Sequence, residues 1–349
     1  MKIKSIQISF IILILSNLVS GHLSAQSEYC KRNLLISFYN VENLFDTIHN
    51  PHKLDVDFTP EGRKNWTSKR YNDKINKLSR VISSYDSTKL PDIVGLCEIE
   101  NKAVVKDLTK NHFLKKGKYQ IVHHQSPDIR GIDNALMYRK KGIKLISERV
   151  YHVKMEENKR FKTRDILYVK LYIKKAKDTL HIFVNHWPSR RGGEEKSRPK
   201  RAAAAMVVRH ITDSLIATGN NPKILIMGDL NDEPTNISVK NILRAHQIDS
   251  LASDTILYNL CYSKKLEKRG SYHYWKTGEW NMIDNMIITG NLYNSESGLI
   301  SKEKDIRIFR PEWILHQDKK GIVSPAKTYG RGYYGGYSDH LSIYTYLCY

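Results

Sequence analysis

Apolar, strand-forming runs recur along this chain, and polar residues lie at the ends of these runs, from the first strand candidate to the last. Runs rich in Ile, Leu, Val, Tyr and Phe predict strands at eight places. Several runs are continuously apolar, which is typical of strands that are covered on both faces. The polar residues at their ends are mostly Asp, Asn, Glu and His, which suit metal-assisted phosphate chemistry. The predicted strands are 34–39, 93–97, 135–138, 166–173, 180–184, 224–227, 286–289 and 341–347.

Two helical patterns lie between the strand candidates, and segments 46–70, 187–202 and 254–282 are predicted loops. Strands mixed with helices, with polar residues gathered at strand ends, indicate sheets with helices outside and a site along one rim. The residues that keep three-to-four spacing are Ile75, Leu78, Ile82 and Tyr85 in the first helix, and Met206, Val207, His210, Ile211 and Leu215 in the second.

The first 25 residues read as a secretory signal. Lys2 and Lys4 precede an apolar run over 8–15, and Ala25 offers a small residue for cleavage. An uncleaved membrane anchor is the alternative, although the run is short for a span. We expect export to a periplasm or to the outside. No repeat, linker or low-complexity tract divides residues 26–349, so we expect them to form a single domain.

The chain carries a net charge of +21, and removal of Lys2 and Lys4 with the signal leaves +19. An excess of this size attracts polyanions, of which nucleic acid is the most abundant. A generally lysine-rich surface without any binding role would give the same total. The net charge therefore supports a nucleic-acid partner but does not distinguish it from a lysine-rich surface without a binding role.

The polar strand ends, taken in order, resemble the endonuclease/exonuclease/phosphatase superfamily, which includes DNase I type nucleases, apurinic endonucleases, neutral sphingomyelinases and inositol polyphosphate 5-phosphatases. The resemblance covers residues 34–347, and its most specific parts are Gly-Asp-Leu-Asn at 228–231 and Ser-Asp-His at 338–340. It implies a four-layer α/β sandwich, in which two mixed sheets pack face to face with helices on the outer faces. The loops around the presumed cleft differ from vertebrate DNase I and indicate a bacterial secreted branch. The motifs are Ser-Phe-Tyr-Asn40, Leu-Cys-Glu98, Asp133-Asn134, Thr-Arg164-Asp165, Asn-His186-Trp, Gly-Asp229-Leu-Asn231, Ile-Asp284 and Ser-Asp339-His340.

The resemblance implies a divalent metal held by Glu98, with Asn40 and Asp339 beside it. A carboxylate that ends an apolar strand is costly unless it is paired, and Mg²⁺ satisfies such a group while keeping several waters. We expect Mg²⁺, with Mn²⁺ as a substitute. Taken alone, Asn40 would be read as a turn or cap residue.

Five residues match the family's catalytic positions. By resemblance, Asp229 positions or deprotonates the attacking water, Asn231 holds the phosphate, and His186 binds phosphate or protonates the leaving oxygen. Asp284 resembles the carboxylate that hydrogen-bonds His340 and fixes its tautomer. Whether Asp229 or the Asp284 and His340 pair is the general base stays open at this point.

Four further residues are predicted to bind substrate. Arg164 resembles a phosphate-clamping arginine, and Asn134 matches a position near the leaving group. Arg190 and Arg191 belong to a basic segment that follows His186 and continues through Arg198 and Arg201. A mobile solvated loop is the alternative for that segment. A run of aromatic residues could stack on bases or a lipid head group, or simply pack; its members are Tyr272, Tyr274, Trp275 and Trp280.

The four cysteines include no Cys-x-x-Cys pair, so a structural zinc site is not expected, and Cys97 reads as a buried thiol. In the fold that the resemblance implies, the first and last strands would be antiparallel neighbours. Their outer ends would then bring Cys30 and Cys348 together, and export would permit a disulfide. Two unpaired thiols are the alternative.

The predicted function is that of an exported, metal-dependent phosphodiesterase, an endonuclease of relaxed specificity acting on DNA and also on RNA. Nucleic acid is the expected partner as substrate. We expect a monomer without a stable protein partner and without a transmembrane segment in the mature chain. A sphingomyelinase or sugar-phosphate phosphatase with the same catalytic core is the first alternative, but no exposed apolar hairpin for bilayer contact is evident. A catalytically silent polyanion-binding protein is the second alternative.

Overall fold

The computed structural model describes residues 32–248, 252–330 and 332–349. The predicted signal peptide, residues 1–25, lies outside the described residues. The strands are β1 (Asn33–Leu44), β2 (Ile93–Ile99), β3 (Tyr119–His123), β4 (Asp133–Arg139), β5 (Ile143–Tyr151), β6 (Ile166–Ile173), β7 (Asp178–His186), β8 (Lys223–Asp229), β9 (Ala245–His246), β10 (Leu257–Asn259), β11 (Tyr272–Tyr274), β12 (Glu279–Asn281), β13 (Asp284–Thr289), β14 (Arg307–Ile308), β15 (Leu315–Gln317), β16 (Val323–Pro325) and β17 (Ile343–Cys348). The α-helices are α1 (Ser68–Ser83), α2 (Lys102–Lys110), α3 (Glu194–Ile216), α4 (Tyr262–Leu266) and α5 (Gly290–Asn294). Short 3₁₀ turns occupy Val56–Phe58, Lys115–Gly117 and Glu312–Ile314, and a π turn occupies Ser238–Ile242.

Two large mixed sheets form the centre of the molecule. The first has six strands in the order β14, β17, β1, β2, β4, β3, and the second has seven in the order β5, β6, β7, β8, β13, β10, β9. Strand β1 runs parallel to β2 and antiparallel to β17, while β7 is parallel to β8 and antiparallel to β6. Two small hairpins, β11 with β12 and β15 with β16, lie outside these sheets.

Alternation along β1 shows how the layers are built. Leu34, Ile36 and Phe38 belong to a buried cluster that also contains residues of the second sheet, whereas Leu35 and Val41 pack on the side of α1 and α2. Successive side chains of a strand point to opposite faces, so β1 is covered on both. A third cluster joins the outer face of the second sheet to α3. The expected arrangement, helices outside two facing sheets, is confirmed.

All eight predicted strands are present, most of them one to five residues longer than predicted. The strands β3 and β5 were missed because they are sheet edges and carry little apolar signal. Most of β5 is exposed or half-buried, and only Ile143 is fully buried within it. An edge strand that buries one face at most lacks the long apolar run that identified the others.

The loop predictions are wrong in part. Helix α1 begins at Ser68, inside segment 46–70, with Thr67 as its N-cap. Helix α3 begins at Glu194 and continues through Pro199, so segment 187–202 is a loop only in its first seven residues. Glu194 and Glu195 lie in the first turn of α3, where their negative charges interact favourably with the positive end of the helix dipole. Segment 254–282 contains β10, α4, β11 and β12.

The outer ends of β1 and β17 lie close together, as expected. Asn33 pairs with Cys348 in the antiparallel register of β1 and β17. Cys348 is disulfide-bonded, whereas Cys97 and Cys261 are free and buried. The predicted partner of Cys348, Cys30, lies outside the described residues, and the pairing stays a prediction. Across the described ranges, no helix combines the length and the apolar character needed to cross a bilayer.

Candidate active site

The two carboxylates of Asp229 and Asp284 lie side by side because they end and begin neighbouring strands. Asp229 closes β8, Asp284 opens β13, and the two residues are direct partners in the antiparallel register. His340, just before β17, places its Nδ1 2.7 Å from Asp284 Oδ2 and its Nε2 3.8 Å from Asp229 Oδ2. The Ser271 hydroxyl donates to the same Asp284 oxygen at 2.5 Å. The four side chains thus form one buried network.

Charge in this network is set by burial and by the neighbouring carboxylates. Burial alone would lower the pKa of His340, but the carboxylates of Asp284, Asp229 and Asp339 raise it well above its usual range. Burial raises the pKa of Asp229 to about 7, against the lowering effect of His340. Near neutral pH, His340 is therefore cationic with Nε2–H facing the cleft, and Asp229 can take up or give up a proton.

The carboxylate of Glu98 is aimed into the site by a β-bulge. The pairing of β2 with β4 skips Glu98, which adopts a left-handed φ of 61°. Bulges of this kind redirect a side chain at the cost of local strain. Glu98 Oε2 accepts the backbone N–H of Asn43 at 2.8 Å. Burial first, and then the nearby charge of Asp339, raise the pKa of Glu98, so two carboxylates repel each other here.

Asn40 links the two carboxylate groups. Its Nδ2 donates to Asp229 Oδ2 at 3.0 Å and lies 3.5 Å from Glu98 Oε1. Its Oδ1 accepts the backbone N–H of Glu42. In this orientation Asn40 presents its amide hydrogens to the site, and service as an oxygen ligand would require the flipped amide. Asn40, Glu98 and Asp339 remain a predicted ligand set.

A second grouping also has the geometry to hold a cation. Among the described residues, Asp229, Asp284 and His340 offer ligand atoms within 4.8 Å of one another. Because His340 Nδ1 is already hydrogen-bonded to Asp284, occupation by a metal would have to break that bond. These three residues are therefore joined as a hydrogen-bonded acid-base network, and they also form an acidic and histidine-lined candidate site for a cation.

His186 differs from His340 in its surroundings. Its Nε2 lies 3.7 Å from Asp229 Oδ2 and 3.8 Å from Glu98 Oε1, and its Nδ1 is buried without a hydrogen-bond partner. Burial, together with the charge of Arg164, lowers the pKa of His186 well below its usual range. The ring is therefore neutral at pH 7, and Nε2 faces the acceptors of the site.

The Gly-Asp-Leu-Asn motif owes its glycine to a close approach of two parallel strands. A Cβ on Gly228 would lie 2.4 Å from the backbone oxygen of Asn185 on β7. Beyond β8, Asn231 turns into a left-handed conformation with φ of 51°, and its N–H donates to Asp229 Oδ1 at 2.9 Å. Its side-chain amide donates to the carbonyl of Trp187. A larger residue at position 228 would separate Asp229 from His186.

Two predicted substrate-binding residues are buried supports rather than cleft residues. Arg164 donates to the backbone carbonyls of His186 and Trp187 and contacts Asp128 at 3.4 Å. Asn134 donates to the carbonyl of Asp165, and its own Oδ1 has no partner. Neither residue lines the cleft, and their predicted contacts with substrate stay untested. In this structure Arg164 holds the end of β7 that carries His186.

Four of the five predicted catalytic residues, all except Asp284, line a cleft of about 740 Å³. A groove of similar volume, about 760 Å³, lies beside α3 but contains none of them. The walls of the cleft carry cations and aromatic rings. The lining residues include Glu98, His186, Asp229, Asn231, Asp339 and His340 at its base, and Arg130, Arg190, Arg191, Tyr272, Tyr274, Trp275 and Lys276 on its walls.

The cations on the walls have different roles. Arg190 is fully engaged, because it donates to the Asn231 carbonyl and pairs with Glu194 and Asp232. The exposed side chain of Arg191 forms no ion pair or hydrogen bond with any residue in the described ranges. Arg130 was not predicted from sequence, because a single arginine in a loop gives no signal. Its guanidinium is half exposed and pairs with Asp128 at 3.3 Å.

Arg201, a member of the basic segment that follows His186, is buried in α3 and is not exposed to a substrate. Arg201 is fully buried and its guanidinium lies 2.7 Å from Asp232, which is also buried. Replacement of Arg201 by alanine is expected to lower the free energy of unfolding by about 3 kcal/mol, because the buried Asp232 would lose one of its two arginine partners and keep only Arg190. Denaturant unfolding measures this loss.

Arg191→Ala is the matched control for Arg201→Ala. It should leave the free energy of unfolding unchanged, because the side chain is exposed. If it contacts one phosphate, the slope of log affinity for DNA against log salt should fall by about 0.9. Equal stability of the two variants would contradict the assignment of Arg201 as a structural residue.

Comparison with known proteins agrees with this geometry. The sequence profile described as the endonuclease/exonuclease/phosphatase family matches residues 35–348. Among solved structures, D. rerio TDP2 complexed with a single-strand DNA product has a TM-score of 0.53 at 14% identity, covering 91% of this chain and 100% of that one. The human Nocturnin catalytic domain gives 0.52 at 16% identity, with coverage of 90% and 94%. A Bacteroides thetaiotaomicron mannosyl-6-phosphatase gives 0.55 at 13% identity, with coverage of 90% and 100%.

No curated protein sequence is significantly similar to this chain. Identities below 25% show a common fold and leave the substrate open. The family profile, in contrast, spans nearly all of the described residues, including every residue of the buried network from Asn40 to His340. The chain therefore belongs to the endonuclease/exonuclease/phosphatase family of phosphoester hydrolases.

Proposed function

We propose that the protein is an exported, Mg²⁺-dependent phosphodiesterase that cuts DNA, and also RNA, with little sequence specificity. The observation that carries the proposal is the combination in one cleft of a buried carboxylate and histidine network with cationic and aromatic walls. A phosphodiester in a polymer needs both parts, because the network acts on one phosphate while the walls contact its neighbours. The predicted signal at 1–25 accounts for export.

The metal in this proposal is Mg²⁺, held by Glu98 and Asp339. The negative charge of Asp339 raises the pKa of Glu98, because the two carboxylates repel each other. A bound hard divalent cation would offset this repulsion. Asn40 completes the set through its amide oxygen in the flipped orientation. When bound, the ion would neutralise phosphate charge and orient a phosphate oxygen.

The protein groups around the metal supply proton transfer and phosphate binding. Asp229, with its pKa raised to about 7, accepts the proton of the attacking water. The His340 cation, held by Asp284, donates from Nε2 to a phosphate oxygen and stabilises the charge that develops there. Neutral His186 and the Asn231 amide contact the other oxygens. Asp229 is preferred as the base because a cationic His340 has no free lone pair.

The walls of the cleft favour a polymer over a small phosphate ester. D. rerio TDP2 binds single-strand DNA product and the Bacteroides protein is named a mannosyl-6-phosphatase, but each shares only the fold with this chain. Arg191, which has no ion-pair partner in the described ranges, and the exposed Trp275 both line the walls of the cleft. A sugar phosphate bound at the bottom of the cleft would contact neither residue. The net charge of +19 on residues 26–349 would also attract a polyanionic polymer.

A substrate panel tests this function. Purified protein is incubated with plasmid DNA, single-stranded DNA, RNA, sphingomyelin, mannose 6-phosphate and inositol phosphates, in Mg²⁺ and in chelator. Cleavage of the nucleic acids only in Mg²⁺ or Mn²⁺ is expected, because Glu98 and Asp339 form an oxygen-ligand site. Turnover of mannose 6-phosphate without cleavage of nucleic acid would refute the nuclease assignment, and full activity in chelator would refute the metal.

A further inference from the structure

The hairpin formed by β11 and β12 lies along one wall of the cleft with its aromatic side chains facing inward. Tyr272 and Tyr274 are two residues apart on β11 and therefore share a face, and both line the cleft. The intervening His273 faces the other way and packs on Trp280, with ring centroids 5.3 Å apart. The hairpin thus has one aromatic face inside the cleft and one aromatic face packed against the protein.

This inner face begins at the catalytic histidine. The Tyr272 ring centroid lies 4.9 Å from that of His340, and the two residues form an isolated β-bridge. Tyr274 follows along the strand, and Trp275 comes next in the turn. At about 3.3 Å per residue, Tyr274 lies about 6.6 Å along the strand from Tyr272, so the rings lead away from the phosphate position.

Trp275 is the exposed end of this series, with 71% of its surface accessible. Among the described residues, the ring has no aromatic partner, and its one cation-π partner is the ammonium of Lys276, 5.7 Å from the ring centroid. The turn that carries it is closed by hydrogen bonds from the N–H groups of Thr277 and Gly278 to the Tyr274 carbonyl. A large apolar ring held on a closed turn at the mouth of a charged cleft contributes nothing to the core, and its face is free for a ligand.

We propose that Trp275 is a stacking platform for an unpaired nucleobase next to the scissile phosphate. Arg191 lines the same cleft as a separate cationic residue, which leaves the arginine for a backbone phosphate and the ring for the nucleobase. Stacking on an aromatic ring does not depend on base identity, in keeping with relaxed specificity. In a duplex the faces of a base are covered by its neighbours, so only an unpaired, terminal or extruded base fits the platform.

The consequence is a preference for single-stranded over duplex substrate at the cut. The inference rests on the proposed nuclease function, and its test separates the two. The substrates are two short single-stranded oligodeoxynucleotides, each with a single unmodified phosphodiester between phosphonate linkages. One carries bases on both sides of that phosphodiester, and the other carries abasic residues there.

The wild-type protein should cleave the base-bearing strand with kcat/KM about tenfold or more above the abasic strand, the scale of one lost base-aromatic stack. In Trp275→Ala the ratio of kcat/KM for the base-bearing strand to that for the abasic strand should fall below about threefold. Trp275→Phe should keep most of this ratio, because the phenyl ring can still stack. This is a mutant cycle between protein and substrate, so a general loss of activity cancels. The preference for single strand over blunt duplex should narrow in the same variant.

Two outcomes overturn the platform while leaving the nuclease function intact. One is equal cleavage of both strands by the wild-type protein, and the other is an undiminished gap in Trp275→Ala. A wild-type protein that cuts neither strand in Mg²⁺, but hydrolyses sugar phosphates, overturns the nuclease function and the platform together.

Discussion

Replacement of His340 by alanine is expected to lower kcat by about a hundredfold or more, the scale of lost acid-base or charge-stabilising catalysis. The effect should be large because His340 is buried, hydrogen-bonded to Asp284 and 3.8 Å from Asp229, so no water or neighbouring cation replaces its charge. Steady-state cleavage of a single-stranded oligonucleotide in Mg²⁺ measures it. His316, an exposed histidine of β15, provides the matched control, and His316→Ala should keep wild-type turnover.

The role of Asp284 is tested by the pH profile rather than by the rate alone. Asp284 is one of the carboxylates that raise the pKa of His340, so Asp284→Asn should lower that pKa. If the enzyme needs protonated His340, activity in this variant should be lost at a lower pH than in the wild type. The rise of activity with pH, set by Asp229, should be less affected. Near-normal turnover of His340→Ala would contradict a catalytic role for His340 and would indicate that its side chain only packs in the site.

The positions of two site carboxylates could be predicted from sequence because each lies at the end of an apolar run that is identifiable by itself. Glu98 follows the apolar run of β2, and Asp229 follows that of β8. The ends of neighbouring strands meet at one rim, so residues far apart in the chain come together once the sheets form. What sequence does not contain is the bulge that gives Glu98 its φ of 61°, because bulges depend on register with β4.

The walls of the cleft were predicted less well, and the reason is burial. The sequence does not show whether a given arginine is exposed or buried. Arg191 is exposed, whereas Arg201 on α3 is fully buried against Asp232. Pro199 and the density of charge suggested a loop, while tertiary packing of the alanine-rich part of α3 overrides that local signal. Arg130 reaches the cleft only because its loop folds over it, and no local pattern could have shown this.

The metal prediction has its largest expected effect at Glu98. Substitution of Glu98 by glutamine is expected to remove Mg²⁺-dependent cleavage almost completely, because the amide lacks the charge that holds a hard cation but keeps the shape and an oxygen for the Asn43 N–H. Thermal unfolding gives a second readout that does not need activity. Mg²⁺ at a hundred times its dissociation constant should stabilise the wild-type protein by about 2.7 kcal/mol, and Glu98→Gln should lose that gain.

The sign of the effect in chelator distinguishes a metal ligand from a structural carboxylate. The pKa of Glu98 is raised in the folded protein, so the metal-free protein loses stability as pH rises from the ordinary glutamate pKa towards that raised pKa, above which the loss is complete. In chelator at neutral pH, Glu98→Gln should therefore be at least as stable as the wild type. The exposed Glu312, replaced by glutamine as a control, should change neither Mg²⁺ stabilisation nor activity. If Glu98→Gln keeps the Mg²⁺-dependent rise in unfolding temperature, the ion is held elsewhere, and the Asp229, Asp284 and His340 group is the remaining candidate.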